Sequence, residues 1–350
     1  MKKIFLLLLL SLAGLLVVVF LYFSSRQGQE IKNGFTRSFQ KTPLKQLNEI
    51  DLRFPNYYIS GITRGHVFVG NHKATLHGVM LSADFSDSLQ LNIPNFVNDT
   101  TIDVRAIKVE VDSPNVYYLE RMGPSYVQSS ISFEHTKRIT LGAIKFDRVK
   151  VISKNSIIIR SYQSGKRVLQ KIIVYPTLKR SAVFNLTDEL NTDFAIDGFM
   201  AYNQVKGRLF YTNYYSNQFV CLDTNLNLMY TARTIDTNRI AKIKVSEIRR
   251  KKTKEKLMSA PPLQVNKKGC TDGNWLYVQS LLPSDGESFT EFKSYTVIDV
   301  YDVNDGKYHH SFKVPNYKDQ KMSDFSVSDN RLFALYEHHL LSYQCRFDGF

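Results

Sequence analysis

The residues of this 350-residue chain best suited to metal or redox chemistry are its eight histidines and three cysteines, and their spacing limits what they can do. His66, His72 and His77 lie close together, and His309–His310 and His338–His339 are adjacent pairs. Neighbours in a strand point to opposite faces, so neither pair is expected to turn both rings toward one ion. No HExxH or comparable cluster is present, and no metal site is assigned. Cys221, Cys270 and Cys345 are odd in number, widely spaced and without a CxxC. They read as small hydrophobes inside strands, with one disulfide plus a free thiol as the alternative. The chain has neither a GxSxG elbow nor a Gly-rich phosphate loop, and no catalytic or cofactor-binding residue is assigned. Asp112, Asp197 and Asp324 could converge on a common axis to hold a divalent cation, or could serve only as strand-end turn residues.

Charge points to a surface. The formal net charge is +14, and the stretch RIAKIKVSEIRRKKTKEK from Arg239 to Lys256 carries nine basic residues against Glu247 and Glu255. Such a stretch suits acidic surfaces such as phospholipid headgroups or anionic glycans, or is a solvated hairpin tip. Its period-two alternation favours a projecting hairpin over a short amphipathic helix. Arg249, Arg250, Lys251 and Lys252 are the candidate partner surface. No nucleic-acid module accompanies them, and nucleic acid is not an expected partner.

The elements that must position these residues are announced by a repeated phrase: TRGHVFVG, SPNVYYLE, SKNSIIIR, VKGRLFYT, TDGNWLYV and SDNRLFAL, starting at Thr63, Ser113, Ser153, Val205, Thr271 and Ser328. Its third position is Gly or Asn, the residues that most readily accept the positive φ of a two-residue hairpin turn. The β-branched, aromatic and aliphatic residues that follow suit a buried strand. Recurrence at intervals of roughly 40 to 66 residues fits a propeller or solenoid. Two further strands complete each cycle, clearest in VIDVYDVNDGKYHHSFKVP, where Asp302 and Gly306 mark the turn. Four strands per cycle make a propeller blade.

The sixth cycle ends one strand short. GFTRSFQKTP at residues 34–43 shares a Gly, a Ser-Phe pair and a closing Pro with GKYHHSFKVP at 306–315. Residues 34–40 are therefore predicted to pair beside residues 339–347 and close the ring, since an open blade would leave a bare sheet edge. At the other end, Lys2 and Lys3 precede about twenty uncharged residues from Ile4 to Phe23, the length that crosses a hydrocarbon core. Their bulky end, Leu21-Tyr22-Phe23, favours an uncleaved anchor over a removable signal, and the flanking lysines place the rest of the chain outside the cytoplasm.

These phrases, with VIDVYDVNDGKYHHSF and LDTNLNLMY, give a chain that resembles the six-bladed β-propellers of the TolB, NHL and lactonase-like grouping. It looks closest to membrane-anchored propeller proteins of Bacteroidota. The expectation is an all-β, six-bladed propeller closed by an N-terminal strand and preceded by one transmembrane helix. Residues 1–23 form the anchor, 24–33 a tether and 34–350 the propeller. The expected setting is the periplasmic side of an inner membrane, as a monomer without cofactors. The expected role is a non-catalytic binding or scaffold module for a protein or glycan partner. The alternatives are a metal-dependent, lactonase-like hydrolase with its site in the central channel, and a redox or cofactor-maturation accessory using the cysteines.

Overall fold

The computed structural model describes residues 2–26, 32–41, 44–63, 65–92, 103–120, 123, 125–132, 135–142, 144–187, 194–250 and 253–345. Among them are six four-stranded antiparallel sheets and one two-stranded hairpin. After helix α1 (Lys2–Arg26) comes strand β1 (Lys45–Asp51), which belongs to the last sheet. The first blade is β2 (Tyr57–Thr63), β3 (His66–Asn71), β4 (His77–Ser82) and β5 (Ser88–Asn92). The second is β6 (Ile107–Asp112), β7 (Asn115–Glu120), β8 (Ser125–Ser130) and β9 (Lys137–Thr140). The third is β10 (Phe146–Ser153), β11 (Ser156–Gln163), β12 (Lys166–Ile173) and β13 (Lys179–Asn185). The fourth is β14 (Gly198–Asn203), β15 (Arg208–Asn213), β16 (Gln218–Asp223) and β17 (Leu228–Arg233). The hairpin β18 (Val245–Arg250) and β19 (Thr253–Met258) intervenes before the fifth blade. That blade is β20 (Asn266–Asp272), β21 (Trp275–Ser280), β22 (Tyr295–Asp302) and β23 (Tyr308–Pro315), with helix α2 (Phe289–Lys293) between its middle strands. The sixth is β24 (Asp324–Ser328), β25 (Arg331–Tyr336) and β26 (His339–Gln344), completed by β1.

Each repeated phrase is the second strand of a blade, and its unbroken apolar run has a packing cause. In NVYYLE, RLFYTN, WLYVQS and RLFALY every residue after the first is buried. A strand sandwiched between neighbouring sheets has no solvent face and so does not alternate. The outer strands β13 and β17 do alternate, with exposed positions between half-buried ones. The cores lie between blades: Phe68 and Leu91 meet Val109 and Val116, while Leu335 and Leu340 meet Tyr57 and Val67 across the last-to-first junction. Gly65, Gly207, Gly273 and Asn330 take the positive φ their turns require, whereas Asn115 and Asn155 do not. The repeated aspartates are turn formers: Asp302 accepts from the Asn304 amide at 2.6 Å and Asp223 from that of Asn225 at 2.7 Å.

The ring is closed by an N-terminal strand, but not by residues 34–40. Lys45–Asp51 pairs antiparallel with His339–Gln344, bringing Asn48 opposite Ser342 and Ile50 opposite Leu340. Residues 34–40 instead lie along the fifth blade, where Phe39 forms a parallel bridge to Ser311. The Gly, Ser-Phe and Pro they share with residues 306–315 do not set their place; the Arg37 side chain does. Arg37 needs buried carboxylates, and the fifth blade supplies them. Of the residues predicted to pair, 346 and 347 lie outside the described residues.

Candidate functional site

Antiparallel order divides the ring into two ends. The turns from first to second strand of every blade, and from third to fourth strand of the first five, lie at one end, the turn end. The remaining connections, including α2 and the β18–β19 hairpin, lie at the other, the loop end. The chain reaches the ring at the loop end. The Asn33 and Gly34 amides donate to Asp285 Oδ1 at 2.6 and 3.0 Å, Asn33 Nδ2 donates to the Pro283 carbonyl at 2.7 Å, and Thr237 Oγ1 donates to the Asn33 carbonyl at 2.6 Å. Four residues on, the Arg37 side chain is fully buried. Its Nε and Nη2 donate to Asp299 at 2.8 and 3.3 Å, Nη1 donates to Glu287 at 2.8 Å and the Leu282 carbonyl at 3.0 Å, and Nη2 also donates to Ser280 at 2.8 Å. All five guanidinium donors are thereby used. The two carboxylates hold the guanidinium above its ordinary pKa against the opposing effect of burial.

A second arginine is fixed in the same way. Arg160, on β11, donates to Asp147, to Asp197 at 2.6 Å and to the Tyr211 hydroxyl at 2.7 Å, with Arg167 at 3.6 Å from Asp197. Burial opposes the charge of Asp147, but its bond to Arg160 holds its carboxyl below the usual value. Asp197 is thus a partner in a cation clamp joining the third and fourth blades.

The central channel, a cavity of about 390 Å³, is lined by the first strands of all six blades. In β6 alternation turns Lys108, Glu110 and Asp112 to the channel while Ile107, Val109 and Val111 pack into the blade interface. Glu110 pairs with Lys150, and Asp324 pairs with Lys268 while accepting from the Ile59 amide at 3.0 Å. Lys108 has no carboxylate within ion-pair distance among the described residues; its Nζ stands 5.5 Å from the Tyr58 ring centroid. Water reaches this side chain, yet protein surrounds it, and that confinement with the nearby Lys268 charge pushes the ammonium down to about 8. Burial raises the Asp112 carboxyl above its ordinary value. Asp197 is bound to Arg160 and Asp324 to Lys268, and among the described residues the three aspartates are not brought together as one ligand set.

The adjacent histidines do bring their rings together. His309 Nδ1 lies 2.8 Å from His310 Nδ1, because the register between β22 and β23 shifts there and His309 is the extra residue of a bulge. His338 and His339 lie with ring centroids 4.1 Å apart and tilted by 43°, since His338 lies in a turn after Glu337 at positive φ. Strand alternation governs neither pair. Asp51, His338 and His339 each offer one donor within 4.8 Å of the others, but Lys318 Nζ sits 3.0 Å from His339 Nε2, so a cation there would have to displace an ammonium. The three cysteines are free. Burial pushes the Cys221 thiol up to about 11 and those of Cys270 and Cys345 up to about 12. Of the candidate partner surface, Arg249 and Arg250 end β18, and Lys251 and Lys252 lie outside the described residues.

No protein-family model matches the sequence, and no curated protein matches it. Solved structures do share its architecture. A streptogramin B lyase is 12% identical over 87% of this chain and 98% of that one, with a TM-score of 0.50. The chain is a six-bladed β-propeller. A virginiamycin B lyase from Staphylococcus aureus (11% identity, 85% and 98% covered, TM-score 0.47) and BamB from Moraxella catarrhalis (12%, 88% and 99%, 0.42) are more distant in shape. At these identities the likeness concerns the fold, and the propeller's own residues must carry any functional argument.

Proposed function

We propose that this chain is an exported propeller, tethered by its N-terminal helix on the periplasmic side of an inner membrane, that acts as a non-catalytic binding or scaffold module for a protein or glycan partner. The observation that carries this reading is the position of the tether. Lys3–Leu21 is long and apolar enough to cross a membrane, with mean hydropathy 3.2, and the chain that follows docks at the loop end. The turn end, with the channel mouth between Asp112, Val205, Asp272 and Ser328, then points away from the bilayer and is free to meet a partner. The basic hairpin bearing Arg249 and Arg250 is a second contact element, on the tethered end.

The channel chemistry supports binding over metal-dependent hydrolysis. Of the channel carboxylates Glu110 and Asp324 are already paired with lysines, which leaves Asp112 and Asp272 among the described residues where a divalent cation takes several oxygen ligands. The test is photo-crosslinking of the full-length protein in native membranes, from position 205 at the turn end, where Val205 is 83% exposed. A discrete adduct from this position, absent when the crosslinker replaces buried Val278, supports the reading. Stoichiometric zinc or calcium in the purified protein, with hydrolase activity that chelation removes, contradicts it.

A further inference from the structure

The tether is bracketed by two loops, and both carry the same kind of surface. Asn33 bonds to Thr237 on one side and to Asp285 on the other. Beyond Thr237 the chain exposes Arg239, Ile240, Lys242 and Lys244 before entering β18, with Ile240 48% exposed. Beyond Asp285, helix α2 exposes Phe289, 51% accessible, beneath Lys293 Nζ at 4.2 Å from its ring centroid. The acids of these loops are already engaged. Asp285 receives the tether amides, Glu287 and Asp299 hold Arg37, Asp236 accepts from Thr234 and Asn238, and Glu291 pairs with Lys313. Arg239, Lys242 and Lys244 have no carboxylate within ion-pair distance among the described residues.

Reach decides what this surface meets. Helix α1 ends at Arg26, and the seven steps from there to Asn33 extend at most about 25 Å. If α1 spans the bilayer, Asn33 and the two loops beside it are held within that distance of the headgroups. The loops themselves are firmly placed: the Ile235 amide donates to Tyr301 at 3.0 Å and Asn217 Nδ2 to the Asp236 carbonyl at 2.5 Å.

We infer that the loop end of the propeller docks flat on an anionic lipid surface, with Arg239, Lys242, Lys244 and Lys293 among the headgroups and Ile240 and Phe289 at the acyl boundary. Basic side chains are attracted to anionic headgroups, and aromatic and aliphatic side chains favour the interface. The membrane contact is thus made twice, by α1 and by this face. The channel mouth is held away from the bilayer at a fixed orientation instead of swinging on a free linker. This inference rests on the tethered reading above.

The test is hydrogen–deuterium exchange on the full-length protein in vesicles of phosphatidylcholine alone or with added phosphatidylglycerol. A flotation step first reports on the tether: a chain that does not float with either vesicle refutes the tethered reading itself. For a floating chain, docking predicts slower exchange at 237–246 and 286–294 only with phosphatidylglycerol, no change at the turn 204–207, and reversal at high salt. Each basic group near such a surface changes the docking equilibrium by about fivefold, so the combined Arg239→Gln, Lys242→Gln and Lys244→Gln variant should lose roughly a hundredfold in that equilibrium. Exchange in the second strands of the blades reports whether that variant is folded. Equal exchange in the two vesicles, protection at 204–207 instead, or protection that survives in the folded triple variant overturns the inference.

Discussion

Replacing Arg37 with methionine removes the cation that fixes the N-terminal segment to the fifth blade, at a cost set by the bonds that remain. Glu287 keeps three, from the Ser284 amide at 2.7 Å, the Ser284 hydroxyl at 2.6 Å and the Tyr295 hydroxyl at 2.6 Å. Asp299 keeps only the Ser311 hydroxyl at 2.5 Å, with its side chain 2% exposed. The penalty therefore concentrates on Asp299. Breaking a buried pair from one side costs about 3–5 kcal/mol. With an unfolding entropy of roughly 0.65 kcal/mol/K for a domain of about 310 residues, the midpoint should fall by about 5–8 °C. Differential scanning calorimetry at neutral pH reads the shift, and limited proteolysis should show cleavage appearing near residues 33–40. Adding Asp299→Asn to Arg37→Met should restore part of the loss, since the stranded charge is gone. A shift under about 2 °C, or a double variant less stable than the single, would refute the clamp as the source of stability.

Lys108 loses its proton near 8 in the folded chain and near 10.5 unfolded, so it weakens the native state below that window; Lys108→Met should raise the midpoint at pH 7, with the gain fading between about pH 8 and 10.5 in a melting series. Burial depresses His310 to about 4 from 6.5, so the unfolded chain binds a proton the native one refuses; stability should fall as pH drops through that window, and His310→Asn should flatten this part of the pH profile. A methyl group at Gly269 would lie 2.6 Å from the Tyr277 carbonyl oxygen and from the Phe199 ring edge, so Gly269→Ala should cost about 1–3 kcal/mol in chemical denaturation.

What the sequence made legible was local. Gly or Asn at a turn followed by an apolar run marks a strand buried on both sides, and all six phrases became second strands of blades. The closing strand was harder, because KQLNEID is polar and lies at the rim, while GFTRSFQ carried a misleading likeness to β23. A buried cation outweighs a shared Ser-Phe, and only the fold shows where carboxylates wait for it. The histidine pairs escape strand alternation because a bulge interrupts it at one and a turn at the other. The channel ion pairs join residues 40 and 56 positions apart, Glu110 to Lys150 and Lys268 to Asp324, and become visible only when the blades are arranged in a ring. The basic stretch was plain in the sequence, whereas its place beside the tether depended on the Asn33–Thr237 contact.

We propose that the propeller stays attached to its membrane through its own N-terminal helix. Extracting membranes at alkaline pH and measuring the intact mass of the retained protein tests it directly. Retention in the pellet, with a mass that includes residues 1–26, is the predicted result. A protein released to the soluble fraction, with the mass of a chain that lacks the apolar segment, would show that the helix is not its anchor.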